Sequence, residues 1–246
     1  MHNQINKLNK SGLLQKSEHI YTTFLGPYKQ LQRLGKLPDK FHIHYEPDLA
    51  LYENFTIETI KELSAKENFV CYYFHTKGVS VSDEKRYNAK SKLKEYGYTP
   101  ISKVKQNVVR WRLLMDYFII EKWQDAFDSM KDYDCAGVNW RNKPFRHFAG
   151  NYWWSKSMYL RTLQSVYDFN YESPFVEEEK VRHRAEAWIG QKPNVKVKEL
   201  YNHKANYWEA PQPKEYQCTI KKSLTKSNKL NFLESSSQDH TDQEQP

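Results

Sequence analysis

Cysteine is scarce in this chain. Three residues in 246, Cys71, Cys135 and Cys218, lie far apart and are odd in number. No CxxC pair and no zinc-ligand spacing occurs, which argues against a disulfide framework and against structural zinc. Two of the three sit in apolar, strand-like runs, as ordinary buried thiols do, so a reducing compartment, the cytoplasm, is expected. Also lacking is any apolar run near the ~20 residues that a membrane span requires, and no signal peptide is read. Internal repeats are absent too. Aliphatic content is lean, with 39% hydrophobic residues overall, yet aromatics reach 15%. Each ring can bury a large area, so the expected core is aromatic, and many tyrosine hydroxyls in it must find partners.

The net charge is +8. A basic surface attracts polyanions in general, which keeps a nucleotide diphosphate, an anionic membrane face and nucleic acid in view. Part of the excess belongs to Lys221, Lys222, Lys226 and Lys229, near the end of the chain. A single-strand binder would spread its aromatics along one strand face. Here they concentrate at 152–154 and on helix faces, so no nucleic-acid partner is expected and membrane contact, if any, is peripheral.

Periodicity predicts a helix over 3–18, strands at 20–25 and 41–46, and a helix over 55–66 with Ile57, Ile60 and Leu63 at helical spacing. The run Phe69-Val70-Cys71-Tyr72-Tyr73-Phe74 reads as a central strand covered on both faces. A polar loop is predicted over 79–101, then a long helix over 102–131 carrying Val104, Val108, Trp111, Met115, Phe118, Ile119 and Phe127 on one stripe. A strand at 135–140, helices at 154–165 and 177–190 and a last strand at 195–200 complete the reading. Alternating strands and helices imply one α/β domain over residues 1–217, with a mostly parallel central sheet flanked by helices. From Cys218 the composition turns to Lys, Ser, Asn and then Ser, Gln, Asp, so residues 218–246 are expected to form a disordered polar tail.

Several segments carry candidate chemistry. His75-Thr76-Lys77-Gly78 ends the buried strand, and in open α/β sheets ligands bind beyond the carboxyl ends of strands. Lys77 offers a point charge to a phosphate, Thr76 a hydroxyl, and Gly78 a close backbone approach. On the long helix, Arg112 is the preferred inward-facing cation over Arg110, while Lys103 and Lys105 read as a solvated face. His147-Phe148-Ala149-Gly150-Asn151-Tyr152-Trp153-Trp154 combines a glycine, a carboxamide and three large rings. That suits a ligand with polar edges and apolar faces, such as a sugar. Glu186, mid-helix beside Trp188, is a candidate general base, or a surface partner of Arg182. Asp132-Tyr133-Asp134 matches a DxD metal-diphosphate signature but precedes a strand instead of following one, so it reads as loop punctuation. His42 and His44 alternate on a strand and lack a third ligand.

The order of these motifs resembles a family of small glycosyltransferases found in bacterial surface-polysaccharide loci and in large DNA viruses. The resemblance rests on Tyr73-Phe74-His75-Thr76-Lys77-Gly78, Val109-Arg110-Trp111-Arg112, Gly137-Val138-Asn139-Trp140, the His147–Trp154 segment and Arg184-Ala185-Glu186-Ala187-Trp188-Ile189, across roughly residues 5–208. It implies a GT-A-type, Rossmann-like domain that takes a nucleotide-sugar donor and a glycan acceptor. By position it implies donor contacts from His75, Thr76, Lys77, Gly78 and Arg112. Acceptor or sugar contacts would come from Asn139, Trp140, His147, Gly150, Asn151, Trp153 and Trp154, and Glu186 would be the base. Members generally open with an extra strand before the helix that here begins near Met1, so the resemblance implies that the first strand, part of the nucleotide pocket, is missing. It leaves two ways to neutralise the diphosphate: Mn2+ or Mg2+ held by other ligands, His203 among them, or Lys77 and arginines without metal.

Overall fold

The computed structural model describes residues 2–33, 35–48, 51, 53–76, 101–172 and 177–202. The backbone alone is described for 2, 101–107, 177–179 and 181–182. The expected loop over 79–101 (all but its last residue), the tail 218–246, Lys77, Gly78 and His203 lie outside this set.

The chain opens with helix α1 (His2–Lys10) and the short α2 (Leu13–Lys16). The single helix expected over 3–18 is broken because Gly12 takes a left-handed conformation, φ 79°. Strand β1 (Ile20–Leu25), the turn of helix α3 (Tyr28–Gln32) and strand β2 (Phe41–Glu46) follow, with β1 and β2 pairing parallel as a separate two-stranded sheet. Helix α4 (Asn54–Lys66) leads into strand β3 (Val70–Tyr73). The long helix expected over 102–131 is α5 (Ile101–Asp116), a π-turn at Tyr117–Glu121 and α6 (Trp123–Ser129). The break at Lys122 lets Trp123 Nε1 donate to Ser11 O at 3.0 Å, tying this helical arm to the N-terminal helices.

Strand β4 (Cys135–Val138) is followed by a small hairpin of β5 (Trp140–Arg141) and β6 (His147–Phe148), then by β7 (Trp153–Lys156), α7 (Ser157–Leu160), α8 (Glu177–Trp188) and β8 (Val197–Tyr201). The strand expected over 135–140 ends early because Asn139 has φ 53°, which turns the chain out of the ladder. The helix expected to start at 154 starts at Ser157; both tryptophans of the GNYWW segment belong to β7.

The main sheet has the order β3-β7-β4-β8, with β7 antiparallel to both β3 and β4, and β8 parallel to β4. It is therefore mixed, not mostly parallel as expected. The physical reason is the connection from β4 to β7: it contains a hairpin and no crossover helix, and only a crossover could return the chain as a parallel neighbour. Another expectation is corrected as well. Strand β3 sits at the edge of this sheet among the described residues, with Val70 37% exposed, while β4 is buried throughout and β7 nearly so. The most buried strands are therefore β7 and β4, one and two places inward from the apolar run.

Period-2 alternation splits this sheet into two faces. Cys135, Tyr73 and Trp153 point into a cluster with Ile57 and Ile60 of α4 and Trp188 of α8. Ala136, Val138, Tyr152 and Trp154 point into a second cluster with Leu8, Leu13, Met115, Ile119 and Ala126 from the other helices. The result is an α/β arrangement with helices on both faces of one small mixed sheet.

Candidate functional site

Because β3, β4 and β8 run in one direction and β7 in the other, the carboxyl ends of three strands and the entry to β7 meet at one edge. That edge collects His75, Asn139, Asn151 and Asn202 by sequence position alone. The structure goes further and joins the two main motifs. His75 Nε2 donates to the carbonyl of Gly150 at 3.0 Å, across 75 positions of sequence.

The centre of the cluster is a residue that sequence reasoning passed over, Glu53. It stands at the N-cap of α4, yet its side chain makes no capping bond to the helix. Instead Oε2 accepts from Asn151 Nδ2 at 2.6 Å and from the Tyr73 hydroxyl at 3.1 Å, and Oε1 faces His75 Nδ1 at 3.0 Å. The two ring nitrogens of His75 thus face a carboxylate and a carbonyl, both acceptors. Asn151 is fixed in orientation because its Oδ1 accepts from Trp153 Nε1 at 3.0 Å, leaving only the amide nitrogen to face Glu53. The one hint available in the sequence was a glutamate where Ser, Thr, Asp or Asn usually cap a helix.

A second layer holds the His75 backbone. Tyr152 donates a short hydrogen bond to His75 O, and Gln4 Nε2 reaches the same carbonyl at 3.2 Å, Tyr152 Oη at 3.0 Å and Asp116 Oδ1 at 3.4 Å. Asp116 also meets Lys7 Nζ at 3.4 Å, and Lys7 reaches Glu121 at 2.6 Å. Burial raises the Asp116 carboxyl above its ordinary range, with Lys7, Gln4 and Arg112 only partly compensating. Arg112 is half-buried and acts toward Asp116, whereas Arg110 is exposed. Burial, followed by the charge of Glu53, pushes the Tyr73 phenol well above its usual value, so its hydroxyl stays a donor.

Glu186 belongs to the same neighbourhood. Its charge is felt at both Tyr73 and His147, and its Oε2 lies 3.5 Å from His183 Nδ1. His147 is buried, and its Nδ1 donates to Phe145 O at 2.8 Å. Burial lowers its basicity against the opposing pull of that hydrogen bond and of Glu186. The neutral tautomer that keeps this bond carries its lone pair on Nε2.

The remaining predicted residues are placed as follows. Thr76 is exposed next to His75. Asn139 is fully buried, its N–H bound to Tyr201 O at 2.8 Å and its carbonyl to Ala149 N at 3.1 Å. Trp140 is half-buried, its ring edge-on to Phe148, its backbone N–H on Glu199 Oε1 at 2.8 Å and its indole N–H on Asn142 Oδ1 at 3.1 Å. Trp153 and Trp154 are 0% and 2% exposed. Their faces are covered by Tyr73 and Trp188 and by Tyr72 and Phe127, and Trp154 Nε1 donates to Ile119 O, so both rings are core and neither offers an open platform. Gly150 has φ 86°, and a Cβ there would come within 2.5 Å of Met115 Sδ and 2.8 Å of Trp111 Cζ2. The close approach that this glycine permits is to helix α5. Asp134 lies at the opposite end of β4, where it accepts from Lys196 N at 3.0 Å and pairs with Lys156 at 3.3 Å; it braces strands, as its position before β4 suggested.

Among the described residues no three His, Cys, Asp or Glu side chains converge as metal ligands. With the polar atoms of Glu53, His75 and Asn151 engaged by one another and by Tyr73, Gly150 and Trp153, this donor set does not fit a divalent ion held at the cluster. No helix among them is long and apolar enough to cross a membrane. No family model matches the chain, and neither the curated proteins nor the solved structures yield a match.

Proposed function

We propose that the chain is a glycosyltransferase of GT-A type that moves a sugar from a nucleotide diphosphate to a glycan acceptor. The observation that carries this reading is the bond from His75 to Gly150 around Glu53, which brings both resembling motifs to the edge where three strands end. That edge is where α/β sheets bind ligands.

In this reading Glu186 takes the proton of an acceptor hydroxyl. The oxygen attacks the anomeric carbon, and the bond to the diphosphate breaks with its electron pair leaving on the phosphate oxygen. His75 is a positioning residue, since both ring nitrogens are engaged within the protein. It pins the strand end that carries the exposed Thr76, which faces the departing diphosphate; Lys77 lies outside the described residues. Asn151 and Tyr73 hold Glu53 in place, and Trp153 holds Asn151.

The test is release of nucleoside diphosphate from a panel of nucleotide sugars with and without glycan acceptors. Glu186→Gln is expected to lower kcat by about 100-fold or more with KM little changed, the range for loss of a general base. Full turnover in that variant would remove the base assignment. A second reading is a nucleotide-sugar or glycan binder without turnover at the same strand-end edge. Calorimetric binding with no release of diphosphate would favour it.

A further inference from the structure

The β1–β2 pair carries a side-chain arrangement that the proposed transfer does not use. The strands are parallel and in register, with Ile20 opposite Phe41 and Tyr21 opposite His42. His19 directly precedes β1, and its imidazole meets that of His42 across the strand gap, Nδ1 to Nε2, at 3.0 Å. Both rings are exposed to solvent. Their orientation is supported from below and from the side. Ile20 N donates to Lys40 O at 2.8 Å, locking the two backbones together at the base of the pair. Lys40 Nζ in turn binds Leu14 O and Ser17 O, and Tyr21 stacks on His42 with ring centroids 4.9 Å apart and planes 25° apart.

We propose that His19 and His42 form a two-imidazole chelate for a divalent transition cation. Two imidazole nitrogens bound to one zinc at about 2.0–2.1 Å each, in tetrahedral to right-angled geometry, stand roughly 2.9–3.4 Å apart. The observed separation falls within that bite. In the metal-free form one N–H of the pair points at the other nitrogen. On binding, that ring carries its hydrogen on its other nitrogen, and the two rings turn so that both lone pairs converge on the metal.

The donor type selects the ion. Neutral imidazole suits Zn2+, Ni2+ and Cu2+, whereas Mg2+, Ca2+ and Mn2+ prefer oxygen. No third ligand joins the pair among the described residues, so water or an external ligand completes the coordination. His44, two positions along on the same strand, does not compete for this role. It stacks on Phe55 at 4.0 Å with planes 12° apart. A metal on this pair staples β1 to β2 and stabilises the fold in proportion to its occupancy.

The experiment is calorimetric titration of the full chain with ZnCl2, then NiCl2 and MgCl2, repeated on His19→Ala, His42→Ala and His44→Ala, each checked for an unchanged metal-free melting curve. Zn2+ and Ni2+ are expected to bind one ion per chain at this site. Either of the first two substitutions should weaken that event by at least about tenfold, and His44→Ala should leave it intact. Zinc should raise the melting temperature of the wild-type chain and of His44→Ala more than that of the other two. His19→Gln and His42→Gln, which keep a polar side chain at each strand position, should repeat the loss. Zinc binding of equal strength in wild type, His19→Ala and His42→Ala would overturn the proposal, as would the absence of binding in the wild type at millimolar zinc.

Discussion

Two of the sheets among the described residues both carry many aromatic rings and leave them in opposite states. The β3-β7-β4-β8 sheet and the β1–β2 pair are both rich in aromatic side chains, and the second adds histidines. In the first, Trp153 and Tyr152 are fully buried, and each of their polar atoms that the core encloses has a partner. In the second, Tyr21 and Ile43 are 43% and 41% exposed, and the histidines meet one another at the surface. The difference is coverage. Helices pack on both faces of the four-stranded sheet, whereas α4 supplies the main helical packing against β1. Covered rings determine stability and hold the polar cluster in place; uncovered rings remain available as ligands.

Substitutions in both regions sharpen that contrast. The largest effect is expected from Trp153→Ala, which removes a fully buried ring and the donor that orients Asn151. Such truncations cost about 3–5 kcal/mol. Tyr21→Ala, on the exposed pair, should cost under about 1 kcal/mol, because its ring is already largely solvated. Urea midpoints of the two variants measure this, and equal losses would break the comparison.

Next comes Asn151→Ala. It removes a charge-assisted bond to Glu53 and leaves Trp153 Nε1 without its acceptor. A loss of about 2–3 kcal/mol is expected from one charged bond and one buried orphan. A double-mutant cycle with Glu53→Gln checks it: the two sites should couple, since they share one hydrogen bond.

The smallest effect is a pH slope. Burial holds the folded His147 below the ordinary histidine value of about 6.5. The unfolded chain therefore takes up this proton first as pH falls, and the stability that His147 contributes above that value is lost as pH drops through its lowered folded value. Asp116 acts with the opposite sign. Its carboxyl is raised in the folded state, so its contribution fades as pH rises from the ordinary carboxylate range. Comparing wild type with His147→Asn from pH 7 downward separates the two, and the variant should lose less stability over that window.

Much of the local structure was legible in the sequence. Strands β1 and β2 fall where alternation placed them, and α4 follows the spacing of Ile57 and Ile60. The two faces of the main sheet follow from the parity of Tyr72 and Tyr73, and of Trp153 and Trp154. What could not be read was pairing. A run such as Val70–Tyr73 has the same composition whether it lies at the centre or the edge, because composition reports burial on two faces and not hydrogen bonding on two sides. The GNYWW segment illustrates the cost. Glycine, carboxamide and rings are as suitable for a covered strand as for an open sugar pocket, and only the partners of Asn151 and the neighbours of Gly150 distinguish the two. Glu53 was hidden for a related reason: its position beside a helix start says nothing of its three partners, which come from β3, from His75 just beyond that strand and from the β7 entry.

The central claim is that a nucleotide sugar binds where β3, β4 and β8 end, beside Glu53, His75, Asn151 and Glu186. Amide chemical-shift mapping of the isotopically labelled chain during titration with a nucleotide-sugar panel tests it most directly. The largest changes for a bound donor are expected at residues 73–76, 150–152 and 183–187. Changes centred instead on the opposite sheet end, around Asp134, Lys156 and Lys196, or no changes with any donor in the panel, would contradict it.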